Sequence, residues 1–351
     1  MDLSTLYLIF GDANQDRRAK AIKNILDGRR TVSNLYWGLE YGLLPYFGAL
    51  HDFDLGDEQA AVDTLNKAGL ATVSDGLLYR LSSRGVDQQN QFQASVTPLN
   101  ELATVAQYDI VRFSRRFIFA VQVVSEYSYS NNRYYPQTIG FFDDQLIKRW
   151  FIQNKQRNLS NYFHQLLQQF LSGLENDQLA DIFAASLTGH GSSGLTEDQL
   201  AVQTDLEPTI IQLNWLKLYS RLFLLLNKDP ETPLQLLLTG LTKPLMSGSA
   251  KQTFDLFVSV RQPDPATIAQ LRKIKLTTVY EHLIEAAIEL PLEQFPYQRL
   301  LHKQTITNLR QAAPVNVGEW QFKAAKAQIA DLQFFEFRLF QISERKKGDN
   351  D

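Results

Sequence analysis

Apolar residues recur at intervals of three and four along most of the chain, the period of helices that bury one face. Leu3 to Phe10 predicts a short first helix. Asp16 to Leu26 predicts a second, with Ala19, Ile22, Ile25 and Leu26 on one stripe and Gly28 as its stop. Thr31 to Tyr41 predicts a third, striped by Val32, Leu35 and Leu39 and broken by Gly42-Leu43-Leu44-Pro45. Asp57 caps a fourth, which runs to Ala68 and closes on Gly69. Two short β-prone runs, Leu70–Val73 and Leu77–Leu81, flank Ser74-Asp75-Gly76 and predict a hairpin. Helices, a glycine-terminated helix and a hairpin, in that order, predict a winged-helix-like domain over residues 1–92.

Residues 93–248 predict a helical middle domain. Its helices are Glu101–Ser130, Asp143–Asn154, Leu159–Leu174, Asp177–Leu187, Thr196–Thr204, Pro208–Leu226 and Pro233–Leu241. The pair Thr196–Thr204 and Pro208–Leu226 has helix-turn-helix spacing, but the later helix is apolar almost all round. Such a helix belongs in a core and not in a wet groove. Residues 249–347 predict a helix from Ser249 to about Val260, a restart at Pro263-Asp264-Pro265 and a short helix to Lys273. A turn at Ile274-Lys275-Leu276 and a longer helix from Thr277 to Leu290 follow. That succession is a helix-turn-helix. Trp320 to Glu344 closes the domain, and residues 348–351 form a disordered tail. The fold class is therefore mainly α.

Charge changes this picture locally. The whole chain carries a formal −3, which argues against a protein that is basic throughout. Residues 1–92 hold 9 basic and 12 acidic residues, residues 93–248 hold 12 and 14, and residues 249–347 hold 14 and 10. The positive excess thus sits on the helix-turn-helix third, the part best placed to meet phosphates. The absence of cysteine excludes disulfides and thiolate sites and suits a reducing cytoplasm. Unbroken apolar runs such as Phe117–Val121 are far shorter than a membrane span, and the amino terminus lacks a basic region before its apolar residues.

The strings Thr253-Phe254-Asp255-Leu256-Phe257, Ile268-Ala269-Gln270-Leu271-Arg272 and Leu276 to Glu285 resemble the helicase-type helix-turn-helix domain found at the C-terminus of some RecQ-like helicases. Val279 stands where that pattern usually has Ile. Ile25–Thr31, Leu187–Gly191 and Phe334–Ile342 extend the resemblance to the YpbB family of bacterial proteins. Members of that family are commonly encoded beside a RecQ-type helicase. The resemblance therefore implies a helicase-associated adaptor acting in DNA repair or recombination, with a RecQ-type helicase and DNA as partners.

Catalytic chemistry finds no support in the residues. The histidines His51, His164, His190, His282 and His302 never pair at i, i+4. No phosphate-binding G-x-x-x-x-G-K-[ST] occurs. The Gly189–Gly194 loop lacks a following lysine and reads as a flexible connector, and Asp143-Asp144 reads as helix N-terminal charge. No catalytic residue, metal or cofactor is expected. Arg272, Lys273 and Lys275 precede Thr277, Thr278 and Tyr280, so cations for phosphates stand before polar groups for base edges. Against this, Glu281, Glu285 and Glu289 line one face of the same helix and form a possible protein-docking surface. Tyr79, Arg80 and Arg84 are possible wing contacts in an otherwise acidic segment. Tyr36, Trp37, Tyr41, Tyr46 and Phe47 read as core. Arg115-Arg116, Lys148-Arg149, Lys155 and Arg157 form either a basic stripe or ordinary solvated faces. Two alternatives stand beside the adaptor: a protein scaffold without DNA affinity, and a transcription regulator.

Overall fold

The computed structural model describes residues 1–74, 77–95, 102–260 and 264–348. Asp75-Gly76 of the expected hairpin turn, Glu101 at the start of the expected middle domain helices, Pro263 and the last three residues of the expected tail lie outside them. The chain is mainly α-helical. Its first part comprises α1 (Leu3–Ile9), β1 (Arg17–Arg18), α2 (Ala19–Leu26), α3 (Val32–Glu40), α4 (Glu58–Lys67), β2 (Ala71–Ser74), β3 (Leu78–Leu81) and α5 (Ser83–Ser95). Next come α6 (Thr104–Gln107), α7 (Ile110–Ser128), α8 (Phe141–Asn154), α9 (Leu159–Ser172), α10 (Asp177–Ala185), α11 (Glu197–Thr204) and α12 (Pro208–Asn227). Last are α13 (Gly248–Ser259), α14 (Pro265–Arg272), α15 (Leu276–Glu289), α16 (Lys303–Ala312), α17 (Phe322–Gln328) and α18 (Phe334–Gly348).

Two compact units result. One holds Met1–Gly28 with Pro45–Lys243, and the other holds Arg29–Leu44 with Pro244–Asp351. The helix expected inside the N-terminal domain, Thr31–Tyr41, therefore belongs with the helix-turn-helix. The expected boundary at residue 92 falls within the first unit.

In the first unit, β1, β3 and β2 form a small antiparallel sheet in that order. The Tyr79 ring packs on Tyr7, and its hydroxyl donates to the Tyr7 carbonyl at 2.8 Å. Helix α5 is not announced by the residue pattern, because its sequence is polar and carries Gly85 in its first turn. It packs on α1, where the Gln89 amide donates to the carbonyls of Leu8, Ile9 and Gly11 and so closes the C-terminal end of that helix. Asp2 N donates to Thr209 Oγ1 at 2.7 Å, tying α1 to α12.

Around α7 and α12 the core is aromatic: Phe113 meets Phe223 edge-on, and Phe117 and Phe183 meet Tyr219. The apolar periphery of α12 is buried along most of its length, so it serves as the scaffold its composition predicts. The long helix expected over Glu101–Ser130 breaks at Tyr108, whose successor Asp109 accepts from Arg112 N and restarts the chain as α7. Asp143 does not act as a bare helix-end charge. It accepts from two nitrogens of Arg112, at 2.7 and 2.9 Å, and from Arg116 at 2.6 Å. Arg116 is 2% exposed, and its remaining Nη1 satisfies the carbonyls of Leu237 and Thr239. Burial works to raise the Asp143 carboxyl, but the hydrogen bonds from both arginines outweigh it and hold the group below its ordinary value.

In the second unit α15 is the central helix, enclosed by α13, α14, α3 and α18. Val279, Leu283, Ile284, Ala286, Ala287 and Ile288 are buried. Lys346 of α18 donates to the carbonyls of Ile288 and Leu290 and satisfies the C-terminal end of α15. The Arg338 guanidinium lies 3.5 Å from the centroid of the Tyr36 ring, joining α18 to α3. Among the described residues, no helix is long and apolar enough to cross a membrane.

Candidate nucleic-acid interface

Asp264 caps α14, with Pro265 at its first position, where a missing N–H costs nothing. The helix ends at Lys273, whose φ of 54° places it in the left-handed region. Turns of this kind usually take glycine, because a Cβ there carries a penalty of about 1 kcal/mol. The left-handed residue reverses the chain, so Ile274 N donates to the Ala269 carbonyl at 3.1 Å and α15 starts at Leu276. The residue pattern predicts that start one residue later.

The six residues expected to meet DNA separate into two groups. Lys273, Lys275 and Thr277 are exposed together on the turn and the first residues of α15, with Thr278 half-buried beside them. Arg272 instead faces α13. It donates to Ser249 O at 2.7 Å, to Gln252 Oε1 at 2.9 Å and to Thr253 Oγ1, so it fixes the helix pair and offers no free fork to a phosphate. Tyr280 stacks on Phe335 of α18 at 4.3 Å and 21°, and burial there pushes its hydroxyl above the ordinary tyrosine range. Its ring positions α15 and does not project outward.

The acidic face is likewise divided. Glu281 is exposed, but Glu285 is 7% exposed and accepts from Arg30 at 3.1 Å and from Ser247 N at 2.7 Å. Glu289 accepts from the same Arg30 nitrogen at 2.8 Å. Burial raises the Glu289 carboxyl, and Arg30 only partly offsets it. An acidic docking face of three glutamates therefore does not exist. Two of the three are the internal counter-ions of an arginine that lies 255 residues before the first of them. Nothing in the spacing of Glu281, Glu285 and Glu289 signals that partner.

His282 accounts for the polar centre of the fold. Thr253 Oγ1 lies 2.7 Å from His282 Nδ1, so a buried hydroxyl joins the imidazole to the Arg272 guanidinium. Burial first, and the Arg272 charge second, hold the imidazole below its ordinary 6.5.

The possible wing contacts fare differently. Tyr79 is fully buried and cannot reach a ligand. Arg80 is engaged by Asp16 through two hydrogen bonds of 3.0 Å. Arg84 is exposed on the first turn of α5. The Gly189–Gly194 loop is pinned: Gly189 and Ser192 bridge each other, Gly194 N donates to Thr188 Oγ1, and His190 bonds Glu126 at 2.7 Å while stacking on Tyr129. No group of three or more potential metal ligands occurs among the described residues.

Residues 249–341 match the family described as Helix-turn-helix domain. The chain is 23% identical to Protein YpbB of Bacillus subtilis (strain 168) over 286 residues, which cover 79% of this chain and 79% of that protein. No solved structure matches. The chain is thus YpbB-like with a C-terminal helix-turn-helix domain, a domain type that suggests DNA binding.

Proposed function

We propose that this chain is a non-enzymatic, cytoplasmic DNA-binding adaptor, and that its helix-turn-helix docks on duplex DNA by the turn and first residues of α15. The exposed cluster of Lys273, Lys275 and Thr277 carries the proposal. Cations at that position grip phosphates while the start of the helix reaches base edges. With Glu285 and Glu289 held by Arg30, the carboxylate repulsion that the sequence suggested shrinks to Glu281 alone. Deeper along α15 the side chains are buried, so docking is end-on and the footprint is small. A RecQ-type helicase is the proposed partner, and the resemblance of the helix-turn-helix to those of some RecQ-like helicases supports it. Supplying DNA contact to a helicase asks no catalytic group of this chain.

The internal use of Arg272 and Tyr280 favours one second reading, a scaffold that docks protein and not DNA. Fluorescence-anisotropy titration of a labelled duplex at two salt concentrations separates the two. Duplex binding is expected, with a salt slope that falls by about 0.9 for each phosphate left without its cation in Lys273→Gln and Lys275→Gln. Unchanged duplex affinity in the double variant would sink the assignment to this turn. Co-purification of a RecQ-type helicase by a chain that binds no duplex would establish the scaffold.

A further inference from the structure

Among the described residues of the first unit, two exposed phenylalanine rings stand side by side where α8 begins. Phe141 is 73% exposed and Phe142 81%. Their ring centroids are 5.6 Å apart at 80°, so the rings do not stack on one another and each keeps an open face. They line a cavity of about 300 Å³, at the lower end of ligand-sized clefts, together with Arg112, Arg115, Ile139, Gly140 and the carboxylates Asp52 and Asp109.

Charge is concentrated in the same place. Residues 110–158 carry eight basic and three acidic residues, a denser excess than that of the helix-turn-helix third. All three acids are occupied within the fold. Asp143 is held by Arg112 and Arg116, Glu126 bonds His190 and Asn131, and Asp144 accepts from Ile139 N at 2.9 Å. Arg115, Arg133, Lys148, Arg149, Lys155 and Arg157 are exposed, and none forms an ion pair among the described residues. On α8 the inward stripe is Asp143, Ile147 and Trp150. At 3.6 residues per turn, Phe141, Phe142, Lys148 and Arg149 fall outside that stripe, and Lys155 and Arg157 continue beyond the end of the helix. The helical part of that face, Phe141 to Asn154, is ~20 Å long by helical rise.

We propose that this outer face of α8 binds single-stranded nucleic acid, with Phe141 and Phe142 as stacking platforms and the cations of α8 and Arg115 along the phosphates. Stacking on an exposed ring requires bases whose faces are free, which a duplex does not offer. Phenylalanine has no donor or acceptor with which to read base edges in a groove. An anionic membrane surface fits less well. A helix lying in a bilayer interface needs an apolar face separate from its cations, and the apolar stripe of α8 is already buried. The proposal uses none of the helix-turn-helix residues and does not rest on the duplex reading.

The test is anisotropy of the full-length chain with a fluorescein-labelled oligothymidylate of about 15 nucleotides. The double variant Phe141→Ala, Phe142→Ala is expected to weaken that binding at least about tenfold while leaving duplex affinity unchanged. Lys148→Gln with Arg149→Gln is expected to lower the single-strand salt slope by about 0.7 for each phosphate no longer neutralised. Both pairs are exposed, so the thermal melt should be unaltered, and a lowered melting temperature would overturn the reading of these side chains as a free surface. The proposal fails if the oligothymidylate does not bind at low salt. It fails equally if the phenylalanine variant binds as the parent does, or if Lys273→Gln with Lys275→Gln removes single-strand binding instead. Loss of sedimentation with phosphatidylserine vesicles in the phenylalanine variant, with oligothymidylate affinity intact, would assign the face to a membrane surface.

Discussion

Arg30 donates to Glu285 at 3.1 Å, so the charge that neutralises the acidic side of α15 comes from the other end of the chain. Its Nη1 is also 2.8 Å from Glu289 and 3.3 Å from the Leu245 carbonyl. One guanidinium thus joins the segment that leads into α3, the residues just before α13 and the last two turns of α15. The helix-turn-helix of this chain is not a self-contained C-terminal module, since its buried carboxylates depend on a residue outside the matched region 249–341.

Removing that arginine leaves two nearly buried carboxylates facing each other. Arg30→Ala is expected to destabilise the second unit by about 3 kcal/mol, the lower part of the range for breaking a buried pair, because the Arg30 side chain keeps some solvent. Chemical denaturation measures the loss. A second change, Glu289→Gln, is expected to recover part of it by removing one of the unpaired charges. A melt of Arg30→Ala indistinguishable from that of the parent would show the pair to be surface decoration.

Much of this fold is legible in the residue pattern, and apart from the polar α5 the part that is not shares one physical cause. The stripe Val32, Leu35, Leu39 correctly announces a helix that buries one face, and in the structure Thr31 caps it. Periodicity says that a face is buried but not against what, so the packing of α3 on α15 and α18 is invisible in it. The acidic face of α15 misleads for the same reason. A row of glutamates at i, i+4 looks solvated unless the distant arginine is known. Tyr79 suits a wing contact on sequence because an alternating strand does not reveal which of its faces meets α1. The positions of Lys273, Lys275 and Thr277 are legible because a turn between two short helices must expose its connecting residues.

Lys273 holds the left-handed position at the turn, and it is also an exposed cation of the candidate DNA surface. Those two roles give opposite signs on substitution. Lys273→Gly is expected to stabilise the chain by about 0.5–1 kcal/mol by relieving the backbone while weakening duplex binding and its salt dependence. Urea denaturation and anisotropy on the same sample check both halves. Tighter duplex binding by the glycine variant would contradict the phosphate role.

Gly85 sits in α5 where an added Cβ would run into the Leu70 carbonyl. The obstacle is backbone, so no side-chain rotation relieves it. Gly85→Ala is expected to cost about 1–3 kcal/mol despite the higher helix propensity of alanine, because α5 must move off the residues before β2. Hydrogen exchange of α5 and α1 amides localises the effect, since Gln89 of α5 caps α1. A variant as stable as the parent would mean that α5 packs only loosely on the residues before β2.

His282 provides a pH signature that belongs to the helix-turn-helix alone. Its folded-state value is depressed below the ordinary 6.5 by burial and by Arg272, so the unfolded chain binds a proton more readily than the folded one. Stability from this group is therefore fully present above about pH 6.5 and is lost as pH falls toward the depressed value. The carboxylates held low, Asp2, Asp143, Glu126 and Glu344, lose their contribution only in a more acid range, below the ordinary carboxyl values. Glu289, raised by burial, has the opposite sign: its contribution is present at low pH and lost as pH rises through its elevated value. Urea midpoints measured from pH 7.5 down to 5 are expected to fall for the parent chain. In His282→Asn, which keeps an acceptor for Thr253 Oγ1 but cannot be protonated, that fall is expected to flatten. An identical pH slope in both proteins would remove His282 as its source.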